Sequence, residues 1–183
     1  MEKKRYTLAI LVDNVAGVLS QIAHLFSRKG YNIESFSAGP IEQPGVTRIT
    51  TEIMAETDAQ VNLLCNQLRK LFPVHSVKVL SADLALRREL SLIKVRAETA
   101  DARNEIIQIC NIFRASIIDV APSSLILAVI GQEDKTNAIL ALLEKHGILE
   151  IDRTGIVALE RGAPTLHDDT KVRGEFNYGK NVR

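Results

Sequence analysis

The chain has 183 residues, 46% hydrophobic and 25% charged, a composition typical of a globular protein of one or two domains. A formal net charge of +1 gives no global field for nucleic acid or an anionic membrane, and 4% aromatic residues offer little surface for stacking bases. The charged start of the chain runs straight into a strand pattern rather than an apolar leader. No apolar stretch reaches the length of a membrane span, so we expect a cytoplasmic protein.

The first half predicts six elements. Their order is strand 6–12, helix 18–28, strands 32–38 and 46–54, helix 58–71 and strand 74–80. The first run is almost continuously apolar, as in a strand buried on both faces, and the apolar residues that follow it recur at helical spacing. Gly30 ends the first helix as a left-handed cap, Asp58 is expected to cap the second, and Pro73 stops it.

The second half repeats this order more loosely. Its predicted elements are strand 90–97, helix 101–113, strands 116–121 and 124–130, helix 134–145 and strand 148–159. The linker, residues 82–89, is charged rather than rich in Gly and Ser. The fold class is therefore α+β, with two tandem βαββαβ (ferredoxin-like) domains at 1–82 and 83–162. Edge strands of such antiparallel sheets need covering, so we expect the sheets to pair in a dimer.

After Gly162 the pattern stops, and residues 163–183 are predicted to form a flexible polar tail.

Cys65 and Cys110 lie on apolar helical stripes and are predicted to be buried thiols of a reducing compartment. The four histidines lack metal-ligand spacing, so no metal site is predicted. No nucleophile–base or paired-carboxylate motif stands out along the chain. This leaves open only a catalytic site formed by residues that are distant in sequence and close in space.

The turn between the first strand and the first helix is the candidate binding site. Gly17 lets a ligand approach the backbone, and the N–H groups of Gly17, Val18 and Leu19 at the helix start could hold a carboxylate or phosphate. Asn14 adds an amide that both donates and accepts, and the neighbouring residues are aliphatic. These features favour a free amino acid over a nucleotide. On spacing alone, Gly17 could instead serve only a tight turn and Asn14 only a cap.

Two other classes with this element order lack the residues that they require. An RNA-recognition motif carries stacking aromatics on its central strands, and residues 46–53 contain none. An acylphosphatase-like enzyme needs a cation in its first turn, whereas residues 13–20 contain no Lys or Arg and include Asp13. The corresponding turn of the second half, residues 98–101, has no glycine and adds acids, so we predict no equivalent site there.

Residues 14–20 (NVAGVLS) and 26–35 (FSRKGYNIES) resemble the small regulatory subunit family of acetolactate (acetohydroxyacid) synthase. Residues 113–120 (FRASIIDV) and 153–162 (RTGIVALERG) are similar to the same family. The resemblance extends over about residues 5–162 and leaves the tail outside.

This resemblance implies that the first half is an ACT domain, which pairs with a second copy through its sheet and binds an amino-acid effector, typically valine, at the seam. The second half would help to dimerise or would contact the catalytic large subunit. That subunit, a transferase, would hold thiamine diphosphate, Mg and FAD and condense two pyruvates, or pyruvate with 2-oxobutyrate, on the way to valine, leucine and isoleucine. This chain would carry no cofactor and no catalytic residue.

The small subunit would raise the activity of the large subunit and confer feedback inhibition. The alternative is a stand-alone ACT-domain sensor that acts on another partner. The resemblance also implies a composite effector site built by two chains. Its residues are Asn14, Gly17, Val18 and Leu19 in the effector loop, Ser20 as a support, and Asn32 and Ile33 on the strand contributed by the partner protomer.

Overall fold

The computed structural model describes residues 3–167. The first half contains β1 Lys4–Asp13, α1 Val18–Arg28, β2 Ile33–Pro40, β3 Val46–Ala55, α2 Asp58–Leu68 and β4 Val74–Leu80. The second half contains β5 Ala85–Arg96, α3 Ala100–Phe113, β6 Ser116–Val120, β7 Ser124–Gly131, α4 Glu133–Leu143, β8 Ile148–Arg153 and β9 Val157–Glu160. A 3₁₀ turn, Glu144–His146, joins α4 to β8.

Both halves have the same topology. Their antiparallel sheets are ordered β2-β3-β1-β4 and β6-β7-β5-β8, which confirms the predicted α+β fold with two βαββαβ units. The first strand of each unit is central, and the second strand of each, β2 or β6, lies at a sheet edge. The predicted division between residues 82 and 83 falls in the segment between β4 and β5 and stays a prediction.

The apolar periodicity of α1 and α2 is explained by the face that they cover. Ile22 and Phe26 of α1 pack with Leu64 of α2 against Ile10 and Ile49 of the sheet, and all five side chains are buried. Each such side chain contributes about 1.5–3 kcal/mol relative to an exposed one. The second unit builds a separate core of the same kind between its sheet and α3 and α4.

The other face of the first sheet is covered by the second half of the chain. Ala9 and Leu11, which point away from the helices, pack with Ile156, Ala158 and Leu166 in a third buried cluster. Strand β1 is therefore buried on both faces, which accounts for its almost continuous apolar sequence.

Three local predictions differ from the structure. The single strand expected at 148–159 is two strands, because the chain turns at Gly155 (φ +76°) and β9 then pairs with the first four residues of β5. The expected linker is correspondingly short, since β5 already begins at Ala85. The second helix ends at Leu68, and its cap is Thr57 rather than Asp58, since the Thr57 hydroxyl accepts from the N–H of Gln60 at 3.3 Å.

The beginning of the expected tail is packed. Leu166 is buried in the third cluster, and its carbonyl accepts a hydrogen bond from the Ser76 hydroxyl at 2.9 Å. The rest of that segment, residues 168–183, lies outside the described residues.

Cys65 and Cys110 are buried free thiols, as predicted, and burial raises the pKa of each. Within residues 3–167, no helix is long and apolar enough to cross a membrane.

Candidate functional site

The turn from β1 to α1 has an unusual helix start. Gly17 is the N-cap residue and adopts a left-handed conformation, with φ +86° and ψ −10°. No side chain caps the helix and no acidic residue lies in its first turn, so Asn14 is not the cap that its position allowed. A side chain at position 17 would be strained by the backbone angle, although it would meet no atom within 4 Å. The turn thus needs glycine and keeps the space in front of it open.

Contacts on both sides hold the beginning of this turn. The N–H of Asp13 donates to the carbonyl of Pro73, and the N–H of Asn14 donates to the carbonyl of Gly45, both at 2.8 Å. The carboxylate of Asp13 lies 2.6 Å from Nε2 of His75 on β4. The backbone that enters the helix is therefore positioned before any ligand arrives, which lowers the entropic cost of binding.

Backbone donors at the start of α1 point into this open space. Among the described residues, the N–H groups of Gly17, Leu19 and Ser20 have no acceptor, and that of Val18 has only the carbonyl of Val15 at 3.5 Å. Free N–H groups at a helix start carry the positive end of the helix dipole. An anion of the size of a carboxylate can be bound there without a basic side chain.

A cleft of about 390 Å³ opens in front of these donors, a volume within the range of small-molecule sites. It is lined by residues 12–20, by Ala38, Gly39 and Pro40 at the end of β2, and by Thr47. Val15 and Leu19 are 61% and 49% exposed, so apolar surface is available beside the free N–H groups. Val18 is only 2% exposed and packs in the core, so its backbone alone can reach a ligand.

The sequence placed Ala38 at the end of the strand predicted at 32–38 and gave Gly39 and Pro40 no part in the site. Their contribution to the cleft follows from the sheet order, because β2 and β1 both run antiparallel to β3 and therefore end on the same side. The sequence does show Gly-Pro at the end of the strand after the first helix. That this end lies next to the turn depends on the strand order in the sheet.

Asn32 and Ile33 lie at the opposite end of the sheet within one chain. Ile33 pairs with Ile53, which pairs with Tyr6 near the start of β1, and Ile33 packs against the core. The side-chain amide of Asn32 donates to the Glu34 carboxylate at 2.8 Å. These two residues therefore cannot line the cleft of their own chain, and the predicted grouping requires a second chain.

The corresponding turn of the second unit differs in its chemistry. The hydroxyl of Thr99 accepts from the N–H of Ala102 at 3.1 Å, and Asp101 lies in the first turn of α3. This helix start is capped and already has a negative charge, both of which disfavour an anion there, and the absence of an equivalent site stays a prediction. Across residues 3–167, no three His, Cys, Asp or Glu side chains are arranged to hold a metal ion.

Comparisons with known proteins cover both units. Residues 8–76 match a family model described as an AHAS small subunit-like ACT domain, and residues 88–162 match one described as the small subunit of acetolactate synthase. A probable acetolactate synthase small subunit of Methanothermobacter thermautotrophicus is 41% identical over 167 residues, or 91% of this chain and 98% of that protein. The acetolactate synthase small subunit of Mycobacterium bovis is 41% identical over 162 residues, or 88% and 95%.

A solved structure gives the same result for the fold. The crystal structure of the acetolactate synthase small subunit from Thermotoga maritima superposes with a TM-score of 0.81 at 34% sequence identity. The match covers 88% of this chain and 99% of that one, so the likeness extends over both units rather than over a shared domain alone.

Proposed function

We propose that this chain, which belongs to the acetolactate synthase small-subunit family, binds valine and thereby controls the activity of a catalytic large subunit. Membership of the family implies a regulatory role and a large-subunit partner. The proposal adds that the chain raises the activity of that partner in the cytoplasm and confers feedback inhibition. The large subunit would hold the thiamine diphosphate, Mg and FAD, with no cofactor and no catalytic residue in this chain.

The observation that carries the proposal is the open, uncapped start of α1 inside a partly apolar cleft. The carboxylate of valine would accept from the N–H groups of Gly17 and Leu19 and would be stabilised by the helix dipole. Its isopropyl group would cover apolar surface at Val15 and Leu19, both of which are exposed. A phosphate ligand would be bound less well, because the residues lining the cleft include no Lys or Arg.

We propose a homodimer that completes the site. Strand β2 is a sheet edge of eight residues, Ile33–Pro40, and antiparallel pairing with a second copy across a two-fold axis would place its start beside the end of the other β2. Pro40 lines the cleft, so the partner's Ile33 and the partner's Asn32 would reach it. One chain would then bind the carboxylate and part of the side chain of the ligand, and the partner would add contacts from the start of its β2 strand.

The polar groups suit the ammonium of an amino acid. The side chain of Asn14 makes no hydrogen bond within the described part of the chain and can turn toward a ligand. Because Asn32 uses its NH₂ group on Glu34, its amide oxygen is left to accept from the ammonium. Glu34 adds a negative charge close to the same position.

Inhibition requires more than binding. Valine can lower the activity only if it binds one conformation of the complex more tightly than another, and the coupling is reciprocal. If valine weakens substrate binding by the large subunit, bound substrate weakens valine binding by the same factor.

A mixing experiment tests the proposal. The purified chain is added to the large subunit, and pyruvate turnover is measured with and without valine. We expect stimulation without valine and its reversal by valine, whereas pyruvate turnover by the chain alone would contradict a regulatory role. Valine binding without any effect on the large subunit would favour the stand-alone sensor.

A further inference from the structure

The turn that joins β8 to β9, residues 154–156, lies directly against edge strand β2 of the first unit. A Cβ atom on Gly155 would be 2.8 Å from the carbonyl oxygen of Phe36 and 3.0 Å from the hydroxyl of Ser35. The N–H of Ile156 donates to that hydroxyl at 2.8 Å, and Ile156 is 6% exposed. Position 155 therefore requires glycine for two reasons, the positive φ of +76° and the close approach of another backbone.

The same turn is fastened to the second unit on its other side. Thr154 exchanges backbone and side-chain hydrogen bonds with Leu90 of β5, at 3.0 and 3.1 Å. Arg153 forms a two-bond ion pair with Glu89, a carboxylate that is 3% exposed, at 2.6 and 3.2 Å. The Arg153 side chain is 32% exposed, but separating the pair would leave the buried Glu89 carboxylate unpaired, so the pair holds the turn against β5. A movement of the turn is therefore passed to β5.

Strand β2 connects this turn to the effector cleft. Ser35 lies three residues before Ala38, which lines the cleft, a separation of about 10 Å at the usual strand rise. The pairing of β2 with β3 shifts register between Ile33 and Ser35, so Glu34 lies at an irregular position where the strand can adjust. An effector that moves β2 at one end therefore moves Ser35 and Phe36, and no free space separates Phe36 from Gly155.

We propose that this contact, which we call the β2 joint (Ser35 and Phe36 against residues 154–156), transmits effector binding from the cleft to the second unit. The inference rests on the proposed valine site. At the joint, a strand that lines the cleft contacts backbone of the second unit next to β5, since the Ser35 hydroxyl accepts from the N–H of Ile156. A variant in which the joint is disturbed should still bind the effector, but the bound effector should inhibit the large subunit less.

Two variants test the joint and one variant serves as the control. Gly155→Ala introduces the clash with the Phe36 carbonyl, and Ser35→Ala removes the hydroxyl that accepts from Ile156 without adding any atom. Gly147→Ala is the control for a side chain at positive φ (+87°, against +76° at Gly155), because its Cβ would lie 3.9 Å from the nearest atom, Cβ of Arg96. Other contacts between the units, such as the ion pair of Arg5 and Glu133, remain in all three.

Three quantities are measured for each full-length variant. They are the dissociation constant of valine by calorimetry, the stimulation of the large subunit without valine, and the valine concentration for half-inhibition in the reconstituted complex. For Ser35→Ala and Gly155→Ala we expect valine affinity within about threefold of the wild type, stimulation retained, and half-inhibition at a concentration about tenfold higher or more. Gly147→Ala should resemble the wild type in all three.

The outcomes separate this inference from the proposed function. If the wild type binds valine and is inhibited, and both joint variants are inhibited equally well, the joint does not transmit the signal. The inference is also wrong if binding and inhibition weaken in parallel, because the joint would then only support the site. A wild type that neither binds valine nor confers inhibition refutes the proposed function first and the inference with it.

Discussion

Replacing Gly17 with aspartate places a negative charge where the effector carboxylate is proposed to bind. The open space in front of Gly17 means that the new side chain meets no atom within 4 Å. Its main cost in the folded state is the backbone angle, about 1–2 kcal/mol for a residue other than glycine in the left-handed region and less for Asp or Asn. A carboxylate at a helix start stabilises the folded state by about 0.3–1 kcal/mol, so we expect a folded variant.

The expected loss of binding is larger than this cost. Two carboxylates about 5 Å apart near a protein surface repel each other by about 3 kcal/mol at an effective dielectric constant of about 20. That energy corresponds to a loss of affinity of about 10²-fold. Gly17→Asn is the matched control, because asparagine has the same shape, also tolerates positive φ and has no charge.

Calorimetry with valine, together with thermal unfolding, measures both effects. Gly17→Asp and Gly17→Asn should unfold within a few degrees of each other, and only the aspartate variant should lose binding by about 10²-fold relative to asparagine. The site assignment fails if the two variants bind valine within about threefold of each other while both remain folded.

Three further outcomes follow from the same structure. Asn14→Ala should weaken valine binding about 3- to 10-fold, the loss of one hydrogen bond, with no change in unfolding temperature; an unchanged calorimetric affinity would contradict its role. Leu166→Ala should lower the free energy of unfolding in urea by about 2 kcal/mol, since Leu166 is buried at the edge of the third cluster; a loss below about 0.5 kcal/mol would mean that this segment does not pack. Because burial raises the pKa of Cys65 and Cys110, both stay neutral thiols near pH 7 and should react with a thiol reagent only after denaturant is added; rapid labelling of the native protein would show that they are accessible.

Several elements are encoded locally and could be predicted from the sequence. The helix predicted at 18–28 is α1, Val18–Arg28, because its apolar spacing selects one face and Gly30 takes the left-handed conformation that ends it. The strand at 74–80 agrees in the same way, bounded by Pro73. The turn at Gly17 could also be identified from its sequence, because a positive φ before a helix is a property of the glycine itself.

Pairing between distant segments could not be predicted in this way. The run 148–159 has strand character throughout, yet Gly155 divides it because the second part pairs with Ala85–Arg88 and covers the first sheet. The same pairing turns part of the expected linker into strand. Which partner a strand meets depends on the packed arrangement of both units, and propensity along the chain does not encode it.

The candidate site likewise has one part that the sequence predicts and one part that depends on the tertiary structure. The sequence by itself determined the turn that is proposed to bind an anion, with its glycine and its adjacent aliphatic residues. Tertiary structure decided that Ala38, Gly39 and Pro40 form the other wall and that Asn32 and Ile33 lie at the far end of the sheet. The physical reason is that a turn depends on the backbone freedom of a few residues, whereas a cleft depends on strand order, which arises only when distant strands pair.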